Sequence, residues 1–119
     1  MNKSHLAAPI RRRMSCLSRK MLNMGLLTKS ETHLDYGCGY GKDVEELIDL
    51  GYQSTGYDPY YFPRCPEKAD IVTLGYVLNV IDSFEERQET LIKAWELTNK
   101  RIIEYIQKLE DYQEKMDMI

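Results

Sequence analysis

Apolar and polar positions along the chain follow two different periods, and each change of period marks an element. From Pro9 onward, Ile10, Met14, Leu17, Met21 and Met24 recur at steps of four and three, the spacing of one helix face. Arg11, Arg12, Arg13, Arg19 and Lys20 fall mostly on the other faces. The pattern predicts a basic N-terminal helix over residues 9–25, with Pro9 admissible as its first residue and Gly25 as its left-handed stop. Thr32-His33-Leu34-Asp35-Tyr36 then reads as a short strand running straight into Gly37-Cys38-Gly39-Tyr40-Gly41. A second helix follows: Asp43 and Glu45 suit the positive end of its dipole, Val44, Leu47 and Ile48 form its buried stripe, and Gly51 ends it. Gln53 to Tyr57 reads as a second strand, stopped at Asp58-Pro59. Residues 33–58 thus spell strand, glycine loop, helix and strand, a unit that requires parallel pairing and a right-handed crossover.

Tyr60 to Lys68, with Pro63 and Pro66, reads as a loop. Residues 69–100 supply a strand and a helix. Ala69 to Ile81 is apolar nearly throughout, as expected of a parallel strand buried on both faces, and the chain leaves that strand from about Gly75. Ser83 and Glu86 form a capping box that opens a helix to about Asn99, with Phe84, Leu91, Ile92 and Trp95 facing inward. Arg101 to Ile106 suits one more strand, while Ile102, Ile106, Leu109, Tyr112 and Met116 keep helical spacing, so residues 101–119 read as a short strand giving way to a C-terminal helix. All 119 residues fit one domain. The expected fold is α/β: a Rossmann-like three-layer αβα arrangement of about four mainly parallel strands with a basic N-terminal helix.

Composition removes several classes. An apolar share of 43% excludes a disordered chain, and no apolar run approaches the ~20 residues of a spanning helix. No secretory segment follows the N-terminal basic residues, so the expected location is cytoplasmic. The three cysteines, Cys16, Cys38 and Cys65, form no CxxC pair and read as reduced thiols rather than zinc ligands. The net charge of −3 hides an asymmetry: seven Lys or Arg and no acid precede Glu31, and nine basic against 19 acidic residues make up the rest. Such an arm allows a nucleic-acid partner through Arg11, Arg12 and Arg13, against the plainer reading of a solvated helix face. An organelle transit peptide fits less well, because the apolar stripe runs into the core motif without a cleavable spacer.

The chemistry sits in the glycines. A strand that ends in closely spaced glycines and turns into a helix brings bare backbone and free amides up to a ligand. The spacing is G-x-G-x-G rather than the G-x-G-x-x-G of dinucleotide enzymes. Asp35, two residues before the first glycine, has no purpose beside a pyrophosphate; it suits a ligand that carries an ammonium group, such as the methionine end of S-adenosylmethionine. Asp58, at the end of the next strand, is placed to accept hydrogen bonds from ribose hydroxyls. A nicotinamide cofactor would use the same acid. The alternative for Asp58 is a strand-end cap beside Pro59.

LDYGCGYG, then TGYDP, then ADIVTLGYVLNVI before a capped helix together resemble a class I S-adenosylmethionine-dependent methyltransferase. More narrowly, DYGCGYGKDV, GYDPYY and LGYVLNVID are similar to the small bacterial and phage methyltransferase-like domains related to the DNA phosphorothioation-associated methyltransferases; the likeness covers about residues 7 to 100. It implies that Asp35, Gly37, Gly39 and Gly41 cradle the methionine moiety, that Asp58 holds the ribose, and that Leu74, Gly75 and Tyr76 lie beside the sulfonium. Tyr60 or Tyr61 would pack on the adenine, although ordinary aromatic packing is the simpler account of both. Tyr76 and Asn79 are open to a substrate role or to packing at a strand end. Cys38 reads as a small side chain in a tight turn; with His5 and His33 as the only histidines, a Cys–His pair is not expected.

The chain departs from that family in several places. No counterpart of its third sheet strand lies between Asp58 and Ala69, and the strands after its fifth are missing. An open sheet edge follows, which argues for a homodimer, a partner chain or a truncated product. Thr73-Leu74-Gly75-Tyr76 stands where amino-methyltransferases carry N/D-P-P-Y, and no catalytic base is evident. The expected function is methyl transfer to an unknown acceptor; the alternative is a non-catalytic S-adenosylmethionine-binding or degenerate module within a larger complex.

Overall fold

The computed structural model describes residues 13–75 and 83–104. Its elements run α1 (Cys16–Asn23), β1 (Thr32–Tyr36), α2 (Lys42–Asp49), β2 (Gln53–Tyr57), β3 (Ala69–Leu74), α3 (Phe84–Glu96) and β4 (Thr98–Glu104). The strands form one sheet in the order β2-β1-β3-β4, and every pairing in it is parallel. Leu34 lies between Thr55 and Val72 and Asp35 between Gly56 and Thr73, so β1 is central and fixes the register of both neighbours.

Strand alternation sorts the side chains into two layers. On one face, Ile71 packs with Met14 and Met21 from the α1 region and Leu47 of α2, and Ile103 joins from β4. On the other, Leu34, Val72 and Leu74 pack with Ala94 of α3 and with Ile102. Helices on both faces of a parallel sheet give the expected three-layer Rossmann-like α/β fold. Because β2 and β3 lie on opposite sides of β1, the order in which strands are added reverses between β1 and β3. In open α/β sheets, ligands collect at the carboxyl ends of strands flanking that reversal.

Several element boundaries differ from the sequence expectation, each for a local reason. The first helix does not extend from Pro9: residues 9–12 lie outside the described residues, and Arg13 to Ser15 are non-helical. Ser15 is extended and caps α1, accepting the Ser18 amide. The helix starts there because the Asp43 carboxylate, at the head of α2, takes the Ser15 amide at 2.7 Å and the hydroxyls of Ser15 and Ser18. Of its predicted stripe, Met14, Leu17 and Met21 are buried, but Met24 is exposed beyond the last turn. In α2, Leu47 is buried whereas Ile48 points outward.

The largest correction concerns α3. Ser83 caps it as expected, accepting the Glu86 amide. The helix ends at Glu96 rather than near Asn99, because Thr98 already opens β4. Phe84, Leu91, Ile92 and Trp95 do not face inward: they are 64%, 37%, 58% and 61% exposed, and Ala94 is the residue that meets the sheet. The small Ala94 lets the helix backbone lie close to β3 and β4, which turns the bulky stripe away from the core. A strand at Arg101 is present within the longer β4, and the expected C-terminal helix lies outside the described residues. At the amino end of the sheet, Glu31 accepts from the Thr28 amide and hydroxyl and pairs with Arg101 at 2.9 Å and Lys100 at 3.4 Å. These bonds, the Thr28 amide first, hold its carboxyl below its ordinary range.

No helix among the described residues is long and apolar enough to cross a membrane.

Candidate functional site

The segment between β1 and α2 is shaped by glycine. Gly37, Gly39 and Gly41 have φ of 92°, 57° and 82°, a region that side-chain-bearing residues seldom enter. Gly41 is the N-cap of α2, so the bend hands the chain directly to the positive end of a helix. The bend is tied to the next strand: the amides of Gly37 and Cys38 both donate to the Tyr57 carbonyl, at 2.7 and 2.9 Å.

Asp58 follows at the end of β2 and is buried. Its Oδ2 accepts the Gly39 amide at 3.1 Å, and its Oδ1 accepts the amides of Tyr60 and Tyr61 at 2.9 and 3.0 Å. A carboxylate has about four lone-pair sites, so these bonds occupy roughly three of them. In this conformation Asp58 can accept one further hydrogen bond, not the two that a pair of ribose hydroxyls would offer. It also exchanges backbone hydrogen bonds with Phe62, which closes the turn after β2. Both readings of Asp58 therefore meet in one residue: it caps its own turn and stands beside the glycine bend.

Asp35 lies on the α1–α2 face of β1 and is also buried. Its Oδ1 accepts the Thr73 hydroxyl at 3.2 Å. Burial first, and then the charges of Asp35, Asp58 and Asp43, push the Cys38 thiol far above its ordinary range. A thiol so raised stays protonated and is no nucleophile. Leu74 ends β3 with its side chain fully buried on the α3 face, so only its backbone reaches the carboxyl end of the sheet. Gly75 follows, facing Leu17 of α1, where an added Cβ would lie 3.8 Å from Leu17 Cδ2. Tyr76 and Asn79 lie outside the described residues, as do Arg11 and Arg12, while Arg13 is exposed.

The aromatic residues after β2 pack on one another. Tyr61 donates its hydroxyl to that of Tyr40 at 3.2 Å, and their rings are 4.5 Å apart. That hydrogen bond, more than burial, pushes the Tyr61 phenol up to about 12, so it remains neutral. Phe62 covers Gly41 closely: a Cβ there would meet its ring at 3.2 Å. Phe62, Cys38, Val44, Ile48 and Gly56 help line a cavity of about 320 Å³ on the outer flank of α2. Asp35, Asp58 and Leu74 do not line it. Among the described residues no group of His, Cys, Asp or Glu is arranged to hold a metal.

Gly56 is needed for a different reason from the bend. A Cβ on it would lie 2.7 Å from Cys38 Sγ and 3.1 Å from Val44 Cγ2. Gly56→Ala is expected to lower stability by about 1–3 kcal/mol through overpacking, measured by urea unfolding. An unchanged midpoint would mean that the loop and α2 do not press on β2 this closely.

Sequence reasoning missed the polar side chains beneath the site. His33 Nδ1 lies 2.7 Å from Ser54 Oγ and its Nε2 lies 2.8 Å from Thr73 Oγ1. Ser54 lies opposite His33 on β2, and Thr73 lies two residues beyond Ile71, the partner of His33 on β3, so only the register, which the sequence does not state, brings them together. Comparisons with family models, curated proteins and solved structures gave no match.

Proposed function

We propose that the chain binds S-adenosylmethionine at the carboxyl ends of β1 and β3, as a class I methyltransferase-like domain, and transfers its methyl group to an acceptor. One observation carries this reading: a bend of three left-handed glycines, heading a helix at the sheet's reversal point, is flanked by the buried carboxylates of Asp35 and Asp58. Bare backbone and a helix N-terminus favour a polar ligand that approaches closely, and an acid on each side suits one carrying both an ammonium and hydroxyls. Gly37, Gly39 and Gly41 would line the methionine end. The sulfonium is already activated, so the protein's task is to orient donor and acceptor and exclude water.

A second reading, a non-catalytic binding or degenerate module, is favoured by a specific observation. The Asp58 carboxylate is largely engaged by the amides of Gly39, Tyr60 and Tyr61, and Phe62 sits over Gly41. Arg11, Arg12 and Arg13 would supply a nucleic-acid contact in either case, within a cytoplasmic protein. A second copy or a partner chain would cover a sheet edge, β2 or β4 among the described residues.

Calorimetry on one sample with S-adenosylmethionine, S-adenosylhomocysteine and NAD separates these readings. Micromolar affinity for the first two and none for NAD is the expected result. Binding of the homocysteine product without turnover on nucleic-acid, protein or small-molecule pools would favour the module, and NAD binding alone would overturn both.

A further inference from the structure

Parallel strands buried on both faces are ordinarily filled with apolar side chains. The α1–α2 face of this sheet carries instead an unbroken polar row across β2, β1 and β3. It runs from Ser54 to His33 at 2.7 Å, from His33 to Thr73 at 2.8 Å and from Thr73 to Asp35 at 3.2 Å. Ser54, His33, Thr73 and Asp35 are 7%, 1%, 1% and 8% exposed. A row of buried polar groups is tolerable only when each is satisfied, and apolar residues of similar size would ordinarily serve stability as well.

Its direction follows from its end. The Thr73 hydroxyl donates to Asp35, so its oxygen accepts from His33 Nε2–H. Nδ1 is then bare and accepts from the Ser54 hydroxyl. The ring can take this part because burial, offset in part by the charge of Asp43, lowers its pKa to about 4, so it is neutral near pH 7. Asp43 itself is held from α1 by Ser15 and Ser18, and no other charged group is needed to fix the polarity.

We propose that Ser54, His33 and Thr73 are positioning residues for Asp35, a one-way hydrogen-bond row that aims its carboxylate at the primary ammonium of an amino-acid-bearing ligand. The inference rests on the S-adenosylmethionine reading and adds which residues select the ammonium end. Loss of the Thr73 hydroxyl strands His33 Nε2–H without its acceptor and removes from Asp35 the hydrogen bond that ties it to the row. A row that served packing alone would show no preference for one end of the ligand.

The test compares S-adenosylhomocysteine with methylthioadenosine, which lacks the amino-acid portion, on wild type, Thr73→Val and Thr73→Ser. Thr73→Val is expected to weaken S-adenosylhomocysteine tenfold or more and leave methylthioadenosine unchanged, with Thr73→Ser restoring the loss. Equal effects on the two ligands, or none, would overturn the row's role while leaving the cofactor reading intact. Wild type that binds neither ligand would remove the cofactor reading, and this inference with it. Should Thr73→Val fail to fold, nitrogen NMR of the wild-type imidazole decides: the neutral Nε2–H form is required, and the Nδ1–H form overturns the proposal.

Discussion

Asp58→Ala is expected to cost on the order of 3 kcal/mol of folding stability, because three amides lose their acceptor at once. Gly39 belongs to the glycine bend, and Tyr60 and Tyr61 belong to the turn after β2. One carboxylate thus joins the two loops, and its removal should release both. Urea unfolding gives the magnitude. Hydrogen exchange gives the location, with faster exchange at Gly39, Tyr60 and Tyr61 than in β1. Asp58→Asn keeps one carbonyl acceptor and should recover part of the loss. If Asp58→Ala unfolds at the wild-type midpoint, the carboxylate is not bound up in these loops and is open to a ligand. The same variant would then be a clean probe of ribose binding; otherwise any loss of affinity in it reports the loops first.

Acid is expected to destabilise the protein through His33. The folded ring titrates near 4 against an ordinary value of 6.5, chiefly because burial penalises the imidazolium. The folded state therefore binds fewer protons than the unfolded state across that window, and stability falls as pH is lowered from 6.5 toward 4. The shift corresponds to about 3 kcal/mol, fully lost once the pH is below the folded value. His33→Gln should flatten this slope while lowering stability at neutral pH, since the row of hydrogen bonds is altered. Glu31 acts in a separate window. Its carboxyl is held low, so its contribution is present above the ordinary carboxylate range and disappears only as pH falls through its lowered value. A slope between pH 6.5 and 4 that survives His33→Gln would show that the acid response arises elsewhere.

The strand–glycine–helix–strand unit was legible because each signal was local. Asp35-Tyr36-Gly37 marks a strand running into a bend, Asp43 and Glu45 mark a helix start, and Asp58-Pro59 marks a stop. β1, β2 and β3 fall where period and punctuation place them. Signals that depend on a distant partner were not legible. Asp43 reads as a favourable charge at a helix N-terminus, yet its carboxylate is spent on Ser15 and Ser18, 28 and 25 residues away. Asp58 reads either as a ligand acid or as a strand-end cap; its bonds to the Tyr60 and Tyr61 amides are local, and only the bond to the Gly39 amide, 19 residues back, needs the fold. The apolar stripe of α3 misled for a related reason: helical spacing shows that Phe84, Leu91, Ile92 and Trp95 share a side, not that the sheet lies on it. Ala94, inconspicuous in the sequence, occupies the contact.

The outward turn of α3 also decides what light the molecule emits. Trp95 is the only tryptophan, and it stands 61% in solvent. Its indole is therefore expected to fluoresce from a largely water-like environment in the native state, so melting of the sheet beneath it should change those surroundings little. Far-ultraviolet circular dichroism is expected to follow unfolding better than this emission. The same emission responds to anything that settles on α3 and dries the ring, so a shift to shorter wavelength would register a visitor to that helix without any attached dye.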